Sequence, residues 1–174
     1  MKSIVLRPRR FLCYIKYMKT KFSHVNLVSR DWRALADFYI KVFECRPKPP
    51  ERSLSGDWLD KLTDLQDVHI KGIHLLLPGG DHGEESASAS AGPTLEIFQY
   101  DHNKTNTQKN INLEGFGHIA FAVENVEEKL QLLLEHGGST VGELIDTEIE
   151  GVGRISVVYA KDPEGNIIEI QKWE

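Results

Sequence analysis

The sequence predicts an α+β fold in which one strand–helix–strands unit occurs twice, and three observations carry that prediction. The phrase Phe22-Ser23-His24-Val25-Asn26-Leu27-Val28 returns in kind as Phe116-Gly117-His118-Ile119-Ala120-Phe121-Ala122. Each phrase leads, at the same offset, into a polar cap residue and an amphipathic helix. Each half closes on an acid set between aliphatic residues, Leu95-Glu96-Ile97 and Ile168-Glu169-Ile170. An internal repeat of this kind means that one supersecondary unit has been used twice.

The elements follow in order. Asp31 opens the first helix, because its side chain accepts an otherwise unpaired backbone N–H. Trp32, Leu35, Ala36, Tyr39, Val42 and Phe43 recur at spacings of three and four and make one apolar face. Residues 56–65, with Trp58, Leu59, Leu62 and Leu65, predict a short helix lying over an open face. Residues 68–77 and 94–100 predict strands, separated by a Gly/Ser/Ala-rich loop at 79–93. A polar link at about 101–113 joins the halves. Asn125 opens the second helix and, with Glu128, fits a capping box. Val126, Leu130, Leu133 and Leu134 predict its buried face, and Gly137-Gly138 its end, where left-handed backbone angles cost little. Residues 154–159 and 166–173 predict the last strands.

Composition narrows the function. The chain has 174 residues, 40% hydrophobic and 27% charged, which describes an ordinary globular protein rather than a disordered one. No apolar run is long enough to cross a membrane as a helix. Residues 1–21 hold Lys2, Arg7, Arg9, Arg10, Lys16, Lys19 and Lys21 and no acid, although the whole chain carries a net charge of −5. The body is therefore strongly acidic and repels nucleic-acid phosphate. Residues 1–17 read as an upstream extension ahead of Met18, or as a disordered basic tail; the folded domain spans 20–174. Two cysteines, Cys13 and Cys45, fit a reducing compartment rather than a disulfide framework. The expected location is cytoplasmic.

The chemistry sits in four residues at matched places: His24 and His118 early in first strands, Glu96 and Glu169 within last strands. Side chains alternate along a strand, so each of these points away from the face on which its apolar neighbours pack. If the halves pack about a pseudo-twofold axis, two imidazoles and two carboxylates converge. That donor set suits one divalent metal of borderline softness. His74, Phe98, Tyr100 and Trp58 are candidate substrate-binding residues around it. His69, His82, His102 and His136 receive no role, and Cys45 reads as a small packed residue.

These phrases, with Asp37-Phe38-Tyr39 and Asp162-Pro163-Glu164-Gly165-Asn166-Ile167-Ile168-Glu169, resemble the vicinal oxygen chelate superfamily. That superfamily includes glyoxalase I, methylmalonyl-CoA epimerase, extradiol dioxygenases and fosfomycin-resistance proteins. The resemblance implies two tandem βαβββ modules, about 20–101 and 114–174, in a cupped, half-barrel mixed sheet around a metal. It implies four strands in each half, a metal held by His24, Glu96, His118 and Glu169, and a homodimer. The substrate it implies is a small molecule that offers two neighbouring oxygens. The His-Glu-His-Glu set resembles the bacterial glyoxalase I arrangement, with Glu169 or Glu96 as the base that moves a proton beside a carbonyl. Val28 stands where glyoxalase I enzymes usually carry the arginine that helps bind glutathione. The run Ser55-Gly56-Asp57-Trp58-Leu59-Asp60-Lys61-Leu62 resembles a branch of cyclitol and sugar-phosphate epimerases instead. A sugar, cyclitol or acyl-CoA epimerase is thus the alternative to a glyoxalase-like lyase. An extradiol-type dioxygenase and a non-catalytic small-molecule binder are further alternatives.

Overall fold

The computed structural model describes residues 20–79, 92–105 and 109–174. Its first half runs β1 (His24–Val28), α1 (Trp32–Phe43), β2 (Arg46–Ser55), α2 (Asp57–Thr63), β3 (His69–Leu76) and β4 (Thr94–Tyr100). The second runs β5 (Ile119–Ala122), α3 (Val126–Glu135), β6 (Ser139–Thr140), β7 (Ile145–Ile149), β8 (Gly153–Lys161) and β9 (Ile167–Trp173). One sheet has the order β1-β4-β3-β2 and the other β5-β9-β8-β6, with β7 also paired to β8. The first strand of each half lies parallel to the last strand of that half. The fold is α+β, built from two βαβββ-type units whose sheets do not close into a barrel.

The caps act as their chemistry requires. The Asp31 Oδ1 accepts from the backbone N–H of Arg33 and of Ala34, both at 3.1 Å. The Asn125 Oδ1 accepts from the Glu128 N–H at 3.1 Å. Trp32, Leu35, Ala36, Phe38, Tyr39, Val42 and Phe43 bury one face of α1. That face packs on β3 and β4 and meets α3, so a single apolar core runs through both halves. Phe43 of α1 stacks on Phe121 of β5 with ring centroids 4.0 Å apart. Cys45 is buried in this core, and burial pushes its thiol up to about 12. No described helix is long and apolar enough to cross a membrane.

Several expectations need correction. The second half carries a fifth strand, β7, on the far edge of β8. Strand β2 has no counterpart among the strands read from sequence. It holds Pro47, Pro49 and Pro50, which cannot donate to a ladder; the structure tolerates them because β2 is an edge strand with a bulge at that place. Leu134 is 40% exposed, so the buried side of α3 rests on Val126 and Leu133, with Leu130 half-buried. His118 directly precedes β5 rather than lying inside it. The extension at 1–17 with Cys13, and most of the loop at 79–93, lie outside the described residues.

Long-range polar contacts lock the halves together. The turn between β8 and β9 places the Glu164 carboxylate at the start of α1, where it accepts from Ser29 Oγ at 2.7 Å and from the N–H groups of Arg30 and Asp31. Two turns further along α1, the fully buried Tyr39 hydroxyl donates to Asp162 Oδ2 at 3.1 Å.

Candidate active site

Alternation sorts the strand residues as their chemistry demands. Val25 and Leu27 of β1 join the core, whereas His24, Asn26 and Val28 are exposed on the other face. In the register of the first sheet, Asn26, Glu96, His74 and Lys48 form one row across β1, β4, β3 and β2. The next row is Val28, Phe98, Gly72 and Arg52. In the second sheet Ala120, Glu169 and Tyr159 make the matching row.

The carboxylate of Glu96 is buried at 9% exposure and is held from three sides. His24 Nε2 lies 3.5 Å from Oε2, and Asn26 Nδ2 donates to the same oxygen at 3.4 Å. His74 Nε2 lies 3.0 Å from Oε1. The other ring nitrogen of His74 faces the Thr94 hydroxyl at 3.3 Å. Burial lowers the His74 pKa from its ordinary value; the Glu96 charge opposes this, and Arg52, His24 and Lys48 reinforce it. A neutral imidazole that donates from Nε2 and accepts at Nδ1 satisfies both contacts.

The second half repeats this with different chemistry. His118 Nε2 lies 3.0 Å from Glu169 Oε2. The Tyr159 hydroxyl faces Glu169, and its ring lies edge-on to His118 with centroids 5.2 Å apart. Burial, then the bond to Glu169 and its charge, raise the Tyr159 pKa. Tyr159 thus stands where His74 stands in the first half, each on the third strand of its row beside the acid. Tyr159 was not among the candidates read from sequence, although its place opposite His74 in the repeat marks it.

The contacts of His24, Glu96, His74, His118, Glu169 and Tyr159 with one another run within halves. Among the described residues, no group of three or more His, Cys, Asp or Glu side chains is arranged to hold a metal ion. The spacing within each pair can be set against that of metal ligands. Two ligands bonded at about 2.1 Å and separated by 90–110° lie about 3.0–3.5 Å apart. The pairs His24–Glu96 and His118–Glu169 have that spacing. His74 lies against the carboxylate oxygen that His24 does not approach.

The remaining candidates are placed as follows. Phe98 lies on the Glu96 face with its ring 5.7 Å from His74. Tyr100 packs with Leu59, Val68 and Ile70 where α2 covers the end of that face. Trp58 is 55% exposed on α2. Gly72 makes room for Phe98: a Cβ there would lie 2.1 Å from the Ile97 carbonyl oxygen and 2.4 Å from the Phe98 ring. Gly72→Ala is therefore expected to cost about 1–3 kcal/mol or more in chemical denaturation, because backbone cannot yield as a side chain does.

Beside His118 a cavity of about 170 Å³ is walled by Leu27, Leu113, Phe116, Ile119 and Ile167, with Lys109 at its edge. Its mixed apolar and polar lining suits a small organic ligand. A larger groove of about 830 Å³ lies elsewhere, between Phe43, Pro78, Phe121 and the start of α3. None of the His–Glu pairs lines it.

Comparison with known proteins bears on this arrangement. Residues 21–170 match the family model described as the Glyoxalase/Bleomycin resistance protein/Dioxygenase superfamily. A search of curated proteins finds no match. Among solved structures, a glyoxalase family protein from Bacillus cereus is similar at TM-score 0.67 and 17% identity, over 93% of this chain and 98% of that one. The fosfomycin resistance protein FosX from Listeria monocytogenes is similar at TM-score 0.55 and 19% identity, over 90% and 96% of the chains. A glyoxalase/dioxygenase from Nostoc punctiforme is similar at TM-score 0.55 and 18% identity, over 100% and 99%. At such identities these likenesses concern the fold alone.

Proposed function

This chain belongs to the Glyoxalase/Bleomycin resistance protein/Dioxygenase superfamily, and from that premise we propose that it is a divalent-metal-dependent lyase or isomerase of glyoxalase type, which moves a proton next to a carbonyl. The observation that carries the reading is the duplicated pair of imidazole and carboxylate, His24–Glu96 and His118–Glu169, each formed where the first strand of a half, or the residue just before it, meets the last strand. In this reading these four residues hold one ion, and a small substrate with two neighbouring oxygens lies across them. A divalent ion bound there supplies Lewis acidity, which makes a C–H bond beside a carbonyl easier to break.

The residues of the chain do the rest. Glu96 is fixed by Asn26, His24 and His74 together, which suits a ligand that must not move. Glu169 has two such neighbours, His118 and Tyr159, where Glu96 has three, and in this reading Glu169 is the acid that moves the proton. A carboxylate oxygen of Glu169 takes the proton and later returns it, and the Tyr159 hydroxyl orients that carboxylate while it is ionised, before and after the transfer. The cavity beside His118 offers a small substrate apolar wall from Leu27, Ile119 and Ile167 and polar groups from Lys109 and Asn166.

The test is proton exchange from solvent. With a divalent ion added, the protein is expected to wash deuterium into a member of a panel of 2-oxo thiohemiacetals, acyl-CoA esters and keto-cyclitols. Glu169→Gln should abolish that exchange. Turnover that requires molecular oxygen would overturn the reading in favour of the dioxygenase alternative. Ligand binding with no exchange and no bound ion would favour a binding protein.

The same reading includes a homodimer in the cytoplasm. Val28, Leu113 and Phe116 are 49%, 46% and 70% exposed near the candidate site, and a second copy would cover such surface. Analytical ultracentrifugation at micromolar concentration should give twice the chain mass. A fully active monomer would exclude the dimer and leave the ligand assignment standing.

A further inference from the structure

Strand β2 presents two cations to the face that carries Glu96. Lys48 is opposite His74 and Arg52 is opposite Gly72, and these are half-buried while Pro49, Pro50 and Glu51 between them are exposed. The bulge sets three residues of β2 against a single residue of β3, so the two cations sit in neighbouring rows of that face. Along β3 those rows are about 7 Å apart, roughly half the separation that regular pairing would give. Glu51, the one acid of the strand, is turned away and joins Arg33 of α1 at 2.7 Å. Neither Lys48 nor Arg52 forms an ion pair with a carboxylate among the described residues; Arg52 only donates to the Pro50 carbonyl oxygen.

Two half-buried cations held in neighbouring rows, neither with a carboxylate partner among the described residues, repel each other, and an anion lying between them would relieve that repulsion. Gly72 leaves no side chain between Arg52 and Phe98 in their shared row. The guanidinium offers a fork that matches two oxygens of one group, and the ammonium adds a point charge.

We propose that Lys48 and Arg52 form an oxyanion-binding subsite beside the Glu96–His74 pair, so that the substrate carries a phosphate, phosphonate or carboxylate group in addition to the two oxygens presented to the metal. This deepens the reading given under Proposed function and rests on it for the place of the reacting carbonyl.

The test uses the full chain freed of divalent ions, at low ionic strength in chloride buffer. Inorganic phosphate and acetate are titrated separately and followed through the amide resonances of β2 and β3. At least one of them should bind saturably. Lys48→Met/Arg52→Gln should weaken that binding at least tenfold. Lys104→Gln/Lys172→Gln, which removes the same charge from exposed positions outside β2 and β3, should leave it within twofold. Tighter binding of phosphate would identify a phosphorylated or phosphonate substrate, and tighter binding of acetate a carboxylate. If the double variant does not fold, Lys48→Met and Arg52→Gln singly carry the test, each expected to weaken binding about threefold or more. No saturable binding of either anion, or equal losses in the two double variants, would overturn the subsite. Divalent-ion binding is read in a separate titration, so failure of the metal reading is distinguishable from failure of this one.

Discussion

His24→Ala/His118→Ala is expected to lose divalent-ion binding almost entirely, where the parent chain binds about one ion. The expectation rests on both arms being broken at once. Glu96 would keep Asn26 and His74, and Glu169 would keep Tyr159, so neither carboxylate is left wholly unpartnered. The fold should therefore survive, and melting temperature separates loss of binding from loss of structure. Residues that orient a metal ligand without touching the ion change affinity by about 10–100-fold. His74→Ala and Tyr159→Phe belong in that range, and each single histidine variant should exceed it. Equilibrium dialysis with elemental analysis measures all of them. Full occupancy in the double variant would remove the four-residue assignment. A loss in His74→Ala as large as in His24→Ala would make His74 a ligand in its own right, which its 3.0 Å approach to Glu96 permits.

What the sequence made legible, and what it did not, follows from the range of the interactions involved. The alternation of His24 with Val25, and of Glu96 with Leu95 and Ile97, is local, and the structure turns these side chains to opposite faces as alternation requires. The helix starts at Asp31 and Asn125 are equally local, because a cap needs only its own next three residues. Strand β2 was hidden by its prolines. Propensity argues against a strand there, and the edge position and bulge that override it come from pairing with β3. Lys48 and Arg52 were hidden with it, since their face has no meaning until the strand exists. Tyr159 was hidden for another reason: nothing in its own neighbourhood marks it, and only the row through Glu169 does. The phrase Asp162-Pro163-Glu164-Gly165-Asn166 was read as a turn into the last strand. Its second role, binding the start of the first helix more than 120 residues away in sequence, lies beyond any local pattern.

That second role sets the largest expected effect on stability. Asp162 is 3% exposed and accepts from four donors: the Tyr39 hydroxyl, the N–H groups of Glu164 and Asn166, and the Asn166 side-chain amide. Asp162→Ala leaves those donors buried without an acceptor, and breaking such a network costs about 3–5 kcal/mol, less than a sum over four bonds because the turn relaxes as a unit. Urea denaturation should show the midpoint falling accordingly. Tyr39→Phe removes one donor and its partner bond, and about 1–2 kcal/mol is expected. The carboxyl also gives the effect a pH signature. Burial, outweighing its hydrogen bonds, raises the Asp162 pKa above the ordinary 3.8. The folded chain then holds that proton more tightly than the unfolded chain does. The resulting contribution to stability is complete below about 3.8 and declines as pH rises through the raised value. Asp162→Asn carries no ionisable group, so its stability should lack that decline. A variant that matched the parent at every pH would show that the clasp between the halves is carried by Glu164 instead, through Ser29, Arg30 and Asp31.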